Sequence, residues 1–158
     1  MTRFKTIALG GTFDILHRGH FELLKKGFSI SSMVIIGLTS DEFARKKGKE
    51  LLHDYSHRKK TLEDTIKKNF PKINYEISKL DNDFGPAVLE KEVQALVVSK
   101  ETAFKGKELN RLRKEKGSPP VEIITVPMIL AKDGTRISTT RIKNSEIDID
   151  GNILGVDK

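Results

Sequence analysis

Apolar residues fall along this chain in two kinds of run. Short, near-continuous runs rich in Val, Ile and Leu occupy Thr6–Leu9, Met33–Leu38, Ile73–Ile77, Ala95–Ser99 and Val121–Val126. Strands apolar on both sides are those of a parallel sheet covered on each face. Between them, apolar positions recur at helical spacing. Phe21, Leu24 and Phe28 share one face, as do Leu62, Ile66 and Phe70, the second set stopped by Pro71. Pro86 opens a further predicted helix carrying Val88, Leu89 and Val93. Leu109 and Leu112 mark a long basic helix that ends near Gly117 and Pro119-Pro120. Strands alternating with helices imply βαβ units with right-handed crossovers. The fold predicted is α/β: one Rossmann-like, doubly wound, parallel five-stranded sheet with helices on both faces. It forms a single domain over residues 1–158, with the stretch from about 148 onward as a loosely ordered tail.

Ligands of such sheets bind beyond the carboxyl ends of the strands, near the point where strand order reverses. That edge should hold Gly11–His20, Thr39–Lys47, Ser99–Glu101 and the segment after Val126. The first stretch is the most informative. Ile7-Ala8-Leu9 closes on Gly10-Gly11, and His17-Arg18-Gly19-His20 follows Thr12-Phe13-Asp14. The glycines permit a tight turn and let a phosphate approach backbone N–H groups. Thr12 adds a hydroxyl. Histidines three apart share a helix face, and a helix start presents N–H groups and the positive end of its dipole. Two imidazoles added there make a polyanion site, with a nucleoside triphosphate as the natural candidate. Asp14 reads as a cap on local backbone. Zinc would need further ligands, and His53 and His57 offer no matching spacing, so no metal site is expected from these histidines.

The second stretch is Gly134-Thr135-Arg136-Ile137-Ser138-Thr139-Thr140-Arg141. Ser138 suits the N-cap of a short helix running through Ile142. Its amides, the hydroxyls of Ser138, Thr139 and Thr140, and the guanidiniums of Arg136 and Arg141 can converge on phosphate oxygens, which arginine matches in a bidentate way. A capped surface helix with flanking charges is the bland reading of the same residues; pairing with the first motif favours phosphate binding.

Composition narrows the classes. The chain has no Cys and a formal net charge of +7, with 32% charged and 6% aromatic residues. No disulfide framework is available. No apolar run approaches the roughly 20 residues of a membrane span, and the N-terminus runs directly into a predicted strand, so a cytoplasmic protein without a membrane partner is the expectation. Most of the lysines fall on polar helix faces, as in Lys25-Lys26, Lys59-Lys60 and Lys67-Lys68. Aromatic residues do not interleave with the basic ones, which argues against a stacking platform for nucleic acid.

Gly10-Gly11-Thr12-Phe13-Asp14 with His17-Arg18-Gly19-His20, and Ile137-Ser138-Thr139-Thr140-Arg141-Ile142, resemble the HxGH and ISSTxxR-type motifs of the nucleotidyltransferase superfamily. Thr139 stands where many members carry Ser, with the hydroxyl kept. Further stretches are similar to the archaeal and eukaryotic phosphopantetheine adenylyltransferases: Gly37–Ala44, Asp83–Ala87, Ala95–Thr102, Asn110–Pro120 and Gly134–Asp148. The resemblance covers nearly the whole chain. It implies adenylyl transfer from ATP to 4′-phosphopantetheine, giving dephospho-coenzyme A and pyrophosphate. The substrate phosphate would attack the α-phosphorus in line, so that catalysis reduces to positioning and charge stabilisation.

The same resemblance suggests roles. His17 and His20 would stabilise the α-phosphate, with Thr12 orienting it or the incoming phosphate. Gly11, Phe13 and Gly19 would line the nucleotide. Ile137, Ser138, Thr139, Thr140 and Arg141, with Arg136 beside them, would hold the β- and γ-phosphates. Lys46 or Lys47 would bind the substrate phosphate, and Arg58 matches a helix-opening arginine. Bacterial members use an arginine after the fourth strand; Ser99-Lys100-Glu101-Thr102 stands here instead, leaving Ser99 and Glu101 to touch the nucleotide. Magnesium would arrive with ATP, without dedicated protein ligands. The oligomeric state stays open, a monomer being one option.

Two other readings use the same residues. A glycerol-3-phosphate cytidylyltransferase or an FAD synthetase would share both motifs. A basic nucleic-acid-binding module would use the charge, with salt-sensitive binding, but gives no reason for a histidine pair at a helix start after Gly-Gly-Thr.

Overall fold

A computed structural model of the chain describes residues 3–85, 87, 90–127, 132, 142 and 147–152. Among these, five strands form one parallel sheet: β1 (Phe4–Gly11), β2 (Ser31–Thr39), β3 (Asn74–Leu80), β4 (Ala95–Ser99) and β5 (Glu122–Val126). Their order is β3-β2-β1-β4-β5, and each adjacent pair is parallel. The helices are α1 (Arg18–Ile30), α2 (Asp41–Lys46), α3 (Tyr55–Asn69) and α4 (Lys105–Glu115), with a single 3-10 turn at Lys100–Thr102. The predicted fold and all five strands are present. Helix α2 was not anticipated, being too short for a periodic pattern; Ser40 Oγ caps it by accepting from the Phe43 amide at 3.1 Å.

The apolar runs have one cause. Alternate strand residues enter opposite cores. Ile7, Leu9, Val34, Ile36, Ala95 and Val97 face α1 and α3, where Leu24, Phe28, Leu62 and Ile66 are buried. Ala8, Ile35, Leu96 and Val98 face the other way, toward Leu109 of α4 and Val93. Both faces are therefore covered, and strict alternation of apolar and polar positions disappears. Gly10 and Gly37 are register partners on β1 and β2. The side chain of Leu80 lies over them: a Cβ on Gly37 would stand 2.7 Å from Leu80 Cδ1.

Val93, expected on a helix, lies in the approach to β4 and is buried. Pro86, Val88 and Leu89 lie outside the described residues. The segment holding Val93 is secured by Arg113, a fully buried arginine of α4 that donates to the carbonyls of Ala87, Glu90, Val93 and Pro119. Of the expected tail, Asp148–Asn152 form a turn in which the Asp148 carboxylate accepts from the amides of Asp150 and Asn152. The Ile149 carbonyl accepts from Arg18 N at 3.1 Å. Residues 153–158 lie outside the described residues. Among the described residues no helix is long and apolar enough to cross a membrane.

Strand order reverses between β1 and β4, because the chain leaves β1 toward β2 on one side and crosses back after β3 to β4 on the other. The carboxyl ends of β1 and β4 carry Thr12 and Ser99–Thr102, the crevice where ligands of such sheets bind.

Candidate active site

The chain leaves β1 through a turn that is strained and heavily braced. Phe13 adopts φ 49, a left-handed conformation that costs a non-glycine residue roughly 1–2 kcal/mol. Burial of its ring, 2% exposed, opposes that cost. The reversal sends the Thr12 carbonyl toward α3 and the Asp14 carboxylate toward the loop before α3. Arg58 of α3, also buried, donates from Nη1 to the carbonyls of Thr12 (2.9 Å) and Thr39 (2.8 Å). Its Nε donates to His53 O and its Nη2 to Asp41 Oδ1 at 2.7 Å. Burial works against the Asp41 carboxylate, but the Arg58 hydrogen bond and the Tyr55 amide outweigh it, and its pKa is lowered. Asp14 accepts the amides of Leu52 (2.9 Å) and His53 (3.1 Å). Its expected capping role is thus real, but the backbone it caps is 38 residues away. Arg58 and Asp14 together fasten the turn after β1, the end of β2 and the 49–53 loop to one another.

The two histidines close a reciprocal cap on α1. His17 is the N-cap residue: its Nδ1 accepts from Gly19 N at 3.1 Å. His20 Nδ1 in turn accepts from His17 N at 3.3 Å. This is a capping box with imidazoles in place of the usual hydroxyl and carboxylate. The rings stack with centroids 3.9 Å apart, and Phe13 packs against His20 at 4.9 Å. With Nδ1 accepting on both, each neutral ring carries its proton on Nε2. The pKa of His20 lies well below its ordinary value, chiefly through burial, then through His17 and, more weakly, Lys49; a backbone hydrogen bond to Ile15 opposes the shift. His20 is thereby held neutral and supplies a donor without adding a cation. The helix start itself differs from expectation. Arg18, Gly19 and Phe21 amides already have acceptors, on Ile149 O, His17 Nδ1 and His17 O. Anion binding here therefore rests more on side chains than on α1 amides.

The lysines sort themselves by position. Lys49 Nζ donates to Thr12 Oγ1 at 2.8 Å. Lys47 Nζ lies 2.8 Å from Asp83 Oδ1 and 4.7 Å from the centroid of the Phe43 ring. Lys46 is exposed at the end of α2. Lys46 or Lys47 is the lysine expected at the substrate phosphate, whereas Lys49 is the one that meets Thr12. The clue available was Gly48, which ends α2 at φ 79 and turns the next residue away from the helix axis.

Ser99 ends β4, its hydroxyl 3.0 Å from Thr102 Oγ1, and Glu101 lies in the 3-10 turn that follows. Gly11 packs against the Phe13 ring, where an added Cβ would stand 3.1 Å from Cε2. A Cβ on Gly19 would meet the His17 ring at 2.9 Å, so this glycine permits the cap. Arg136, Ile137, Ser138, Thr139, Thr140 and Arg141 lie outside the described residues. Thr12, His17, His20 and Lys49 therefore define one half of the candidate site. Among the described residues, no group of three or more His, Asp or Glu is arranged to hold a metal ion; both carboxylate oxygens of Asp14 already accept backbone amides.

Residues 8–145 match the family model described as cytidylyltransferase-like. A phosphopantetheine adenylyltransferase of Methanothermobacter thermautotrophicus is 40% identical over 152 residues, covering 96% of this chain and 91% of that protein. One from Methanosarcina acetivorans is 43% identical over 148 residues, covering 92% and 93%. Among solved structures, a protein of unknown function from Archaeoglobus fulgidus superposes with a TM-score of 0.70 at 30% identity, covering 78% of this chain and 89% of that one.

Proposed function

The chain belongs to the cytidylyltransferase-like family, and from that premise we propose that it transfers the adenylyl group of ATP to 4′-phosphopantetheine, giving dephospho-coenzyme A and pyrophosphate. One observation carries the reading. A lysine–threonine pair and a stacked histidine pair, with His20 held neutral, converge at the carboxyl edge of β1, in a chain whose phosphopantetheine adenylyltransferase relatives match nearly its full length.

The chemistry needs positioning rather than acid–base catalysis. A phosphate is already a nucleophile, so no group must remove a proton from it. Lys49 and Thr12 hold the phosphate of phosphopantetheine, a dianion that the ammonium neutralises and the hydroxyl orients. One of its oxygens attacks the α-phosphorus of ATP; the bond to the β-phosphate oxygen breaks opposite, and pyrophosphate leaves with the electron pair. The Nε2–H groups of His17 and His20 donate to the α-phosphate oxygens as charge builds there, that of His20 exchanging the Ile15 backbone for the phosphate. A neutral His20 suits this role, because it need not lose a proton when Lys49 and the substrates bring further charge. Ser138, Thr139, Thr140 and Arg141, with Ile137 and Arg136, take the β- and γ-phosphates. Gly11, Phe13 and Gly19 line the nucleotide, and Ser99 and Glu101 lie on its far side. Magnesium would be held by the nucleotide's own phosphates rather than by dedicated protein ligands, and would supply charge neutralisation there.

The test is a substrate panel. Pyrophosphate release should require ATP and 4′-phosphopantetheine together. Release with CTP and glycerol 3-phosphate, or with ATP and FMN, in place of that pair would overturn the substrate assignment.

A further inference from the structure

Three lysines, Lys46, Lys47 and Lys49, lie within four positions of one another beside a phosphate site. All are long, flexible and cationic, and any of them that reached Thr12 would be drawn to the same oxyanion. Two features separate them. The first is the end of α2, which is a Schellman closure: Gly48 N donates to Arg45 O at 2.9 Å and Lys49 N to Ala44 O at 3.0 Å, with Gly48 left-handed at φ 79. The chain folds back there, so Lys47 and Lys49 leave the turn toward different surroundings. The second is Asp83, in the turn after β3. Its carboxylate takes Lys47 at 2.8 Å and also stands 3.9 Å from Lys105, the first residue of α4.

We propose that Asp83 is a positioning residue of the phosphate site, holding Lys47 away so that Lys49 alone occupies the place beside Thr12. This rests on the assignment of Lys49 and Thr12 to the substrate phosphate. The local charge supports it. The Lys47 hydrogen bond is the main cause that lowers the Asp83 pKa, so the carboxylate stays ionised through the neutral range. Lys105 is shifted down, first by burial and next by Lys47; without Asp83, the two ammoniums would repel each other, and the substrate phosphate would draw the one set free. Lys47 lies over the Phe43 ring, and without its Asp83 partner it is released to turn toward the bound anion. It would bring a second cation into the site at the wrong angle and compete with Lys49 for the same oxygens. Asp83 pairs with Lys47 and Lys105, so it acts on the site through Lys47.

The experiment is a suppressor test. Asp83→Asn keeps shape and removes charge, and is expected to raise KM for 4′-phosphopantetheine roughly fivefold, the size typical of uncoupling one ion-pair network, with kcat changed less. Adding Lys47→Met in the Asp83→Asn background should return KM to within about twofold of wild type, because the competing ammonium is gone. Asp83→Ser, with and without Lys47→Met, should repeat the pattern. A double variant no better than Asp83→Asn, or worse, overturns the proposal, as does an Asp83→Asn enzyme with unchanged KM. Lys49→Ala is the separate control: if it leaves KM unchanged, the assignment of the phosphate to Lys49 fails whatever Asp83 does.

Discussion

His20 accepts the backbone N–H of His17 on the same ring that stacks against the His17 imidazole. The His17 amide thereby fixes the His20 tautomer, as the Gly19 amide fixes that of His17, and the stacked rings orient each other. Replacing His20 by Ala removes a phosphate donor, half of the capping box and the stacking partner of His17 at once. We expect kcat to fall about 10²–10³-fold, the usual loss for one donor at a charge-developing centre, with a smaller change in KM. His20→Asn, which keeps a donor and a cap, should recover part of it. Steady-state kinetics on both variants decide the matter; turnover within a few-fold of wild type in His20→Ala would remove the histidines from the chemistry.

The same burial makes stability pH-dependent in a defined direction. The folded pKa of His20 lies well below its ordinary 6.5, so the unfolded chain binds the proton first. Below about pH 6.5 the unfolded state is favoured increasingly, by up to about 1.4 kcal/mol per pH unit for one proton, until the folded ring also titrates. Above pH 6.5 this contribution is flat. Denaturant unfolding between pH 5 and pH 8 should show the wild-type midpoint dropping on the acid side, with a shallower slope in His20→Gln. Equal slopes in the two proteins would show that His20 is not the group involved.

Arg58 offers the strongest stability test. Its side chain is fully buried, and its donors serve the carbonyls of Thr12, Thr39 and His53 and the Asp41 carboxylate. Arg58→Ala leaves all four acceptors and the charge of Asp41 without it, a loss of about 3–5 kcal/mol. Arg58→Lys keeps the charge but lacks the planar fork that reaches several acceptors, and should recover less than half. Urea denaturation measures both. A loss under about 1 kcal/mol for Arg58→Ala would mean that the clamp on the three loops contributes little.

Gly48→Ala tests how the turn aims Lys49. Space is open around this position, so any cost is conformational, roughly 1–2 kcal/mol for a side chain at φ 79. The kinetic consequence should exceed the stability one: KM for 4′-phosphopantetheine rises several-fold while ATP binding is spared. A KM unaffected by Gly48→Ala would show that Lys49 finds Thr12 without the left-handed turn.

Much of this fold was legible because burial leaves a pattern. The five strands announce themselves through Val- and Ile-rich runs, and Leu24, Phe28, Leu62 and Ile66 through helical spacing. The histidine motif and the glycine turn were also visible, since their residue types have few other uses in that order. Most of what the sequence does not show is charged side chains meeting partners far away along the chain. Arg58 reads as a helix-opening arginine and Arg113 as one charge of a basic helix, yet both are buried against backbone carbonyls made available by loops distant in sequence. Asp14 looked like a local cap because nothing in the sequence announces the amides of Leu52 and His53. Lys49 was passed over for Lys46 and Lys47 because only the reversal at Gly48 distinguishes it. Helix α2 has six residues, too few for periodicity to register.

The most direct measurement is the formation of dephospho-coenzyme A from ATP and 4′-phosphopantetheine, followed by mass, with Lys49→Ala assayed beside the wild type. The account predicts a product carrying one adenylyl group, one pyrophosphate released for each product formed, and a KM for 4′-phosphopantetheine raised by about 10-fold or more when the Lys49 charge is removed, as for the loss of a charge-assisted hydrogen bond. Absence of that product with the wild-type protein, or an unchanged KM in Lys49→Ala, would contradict it.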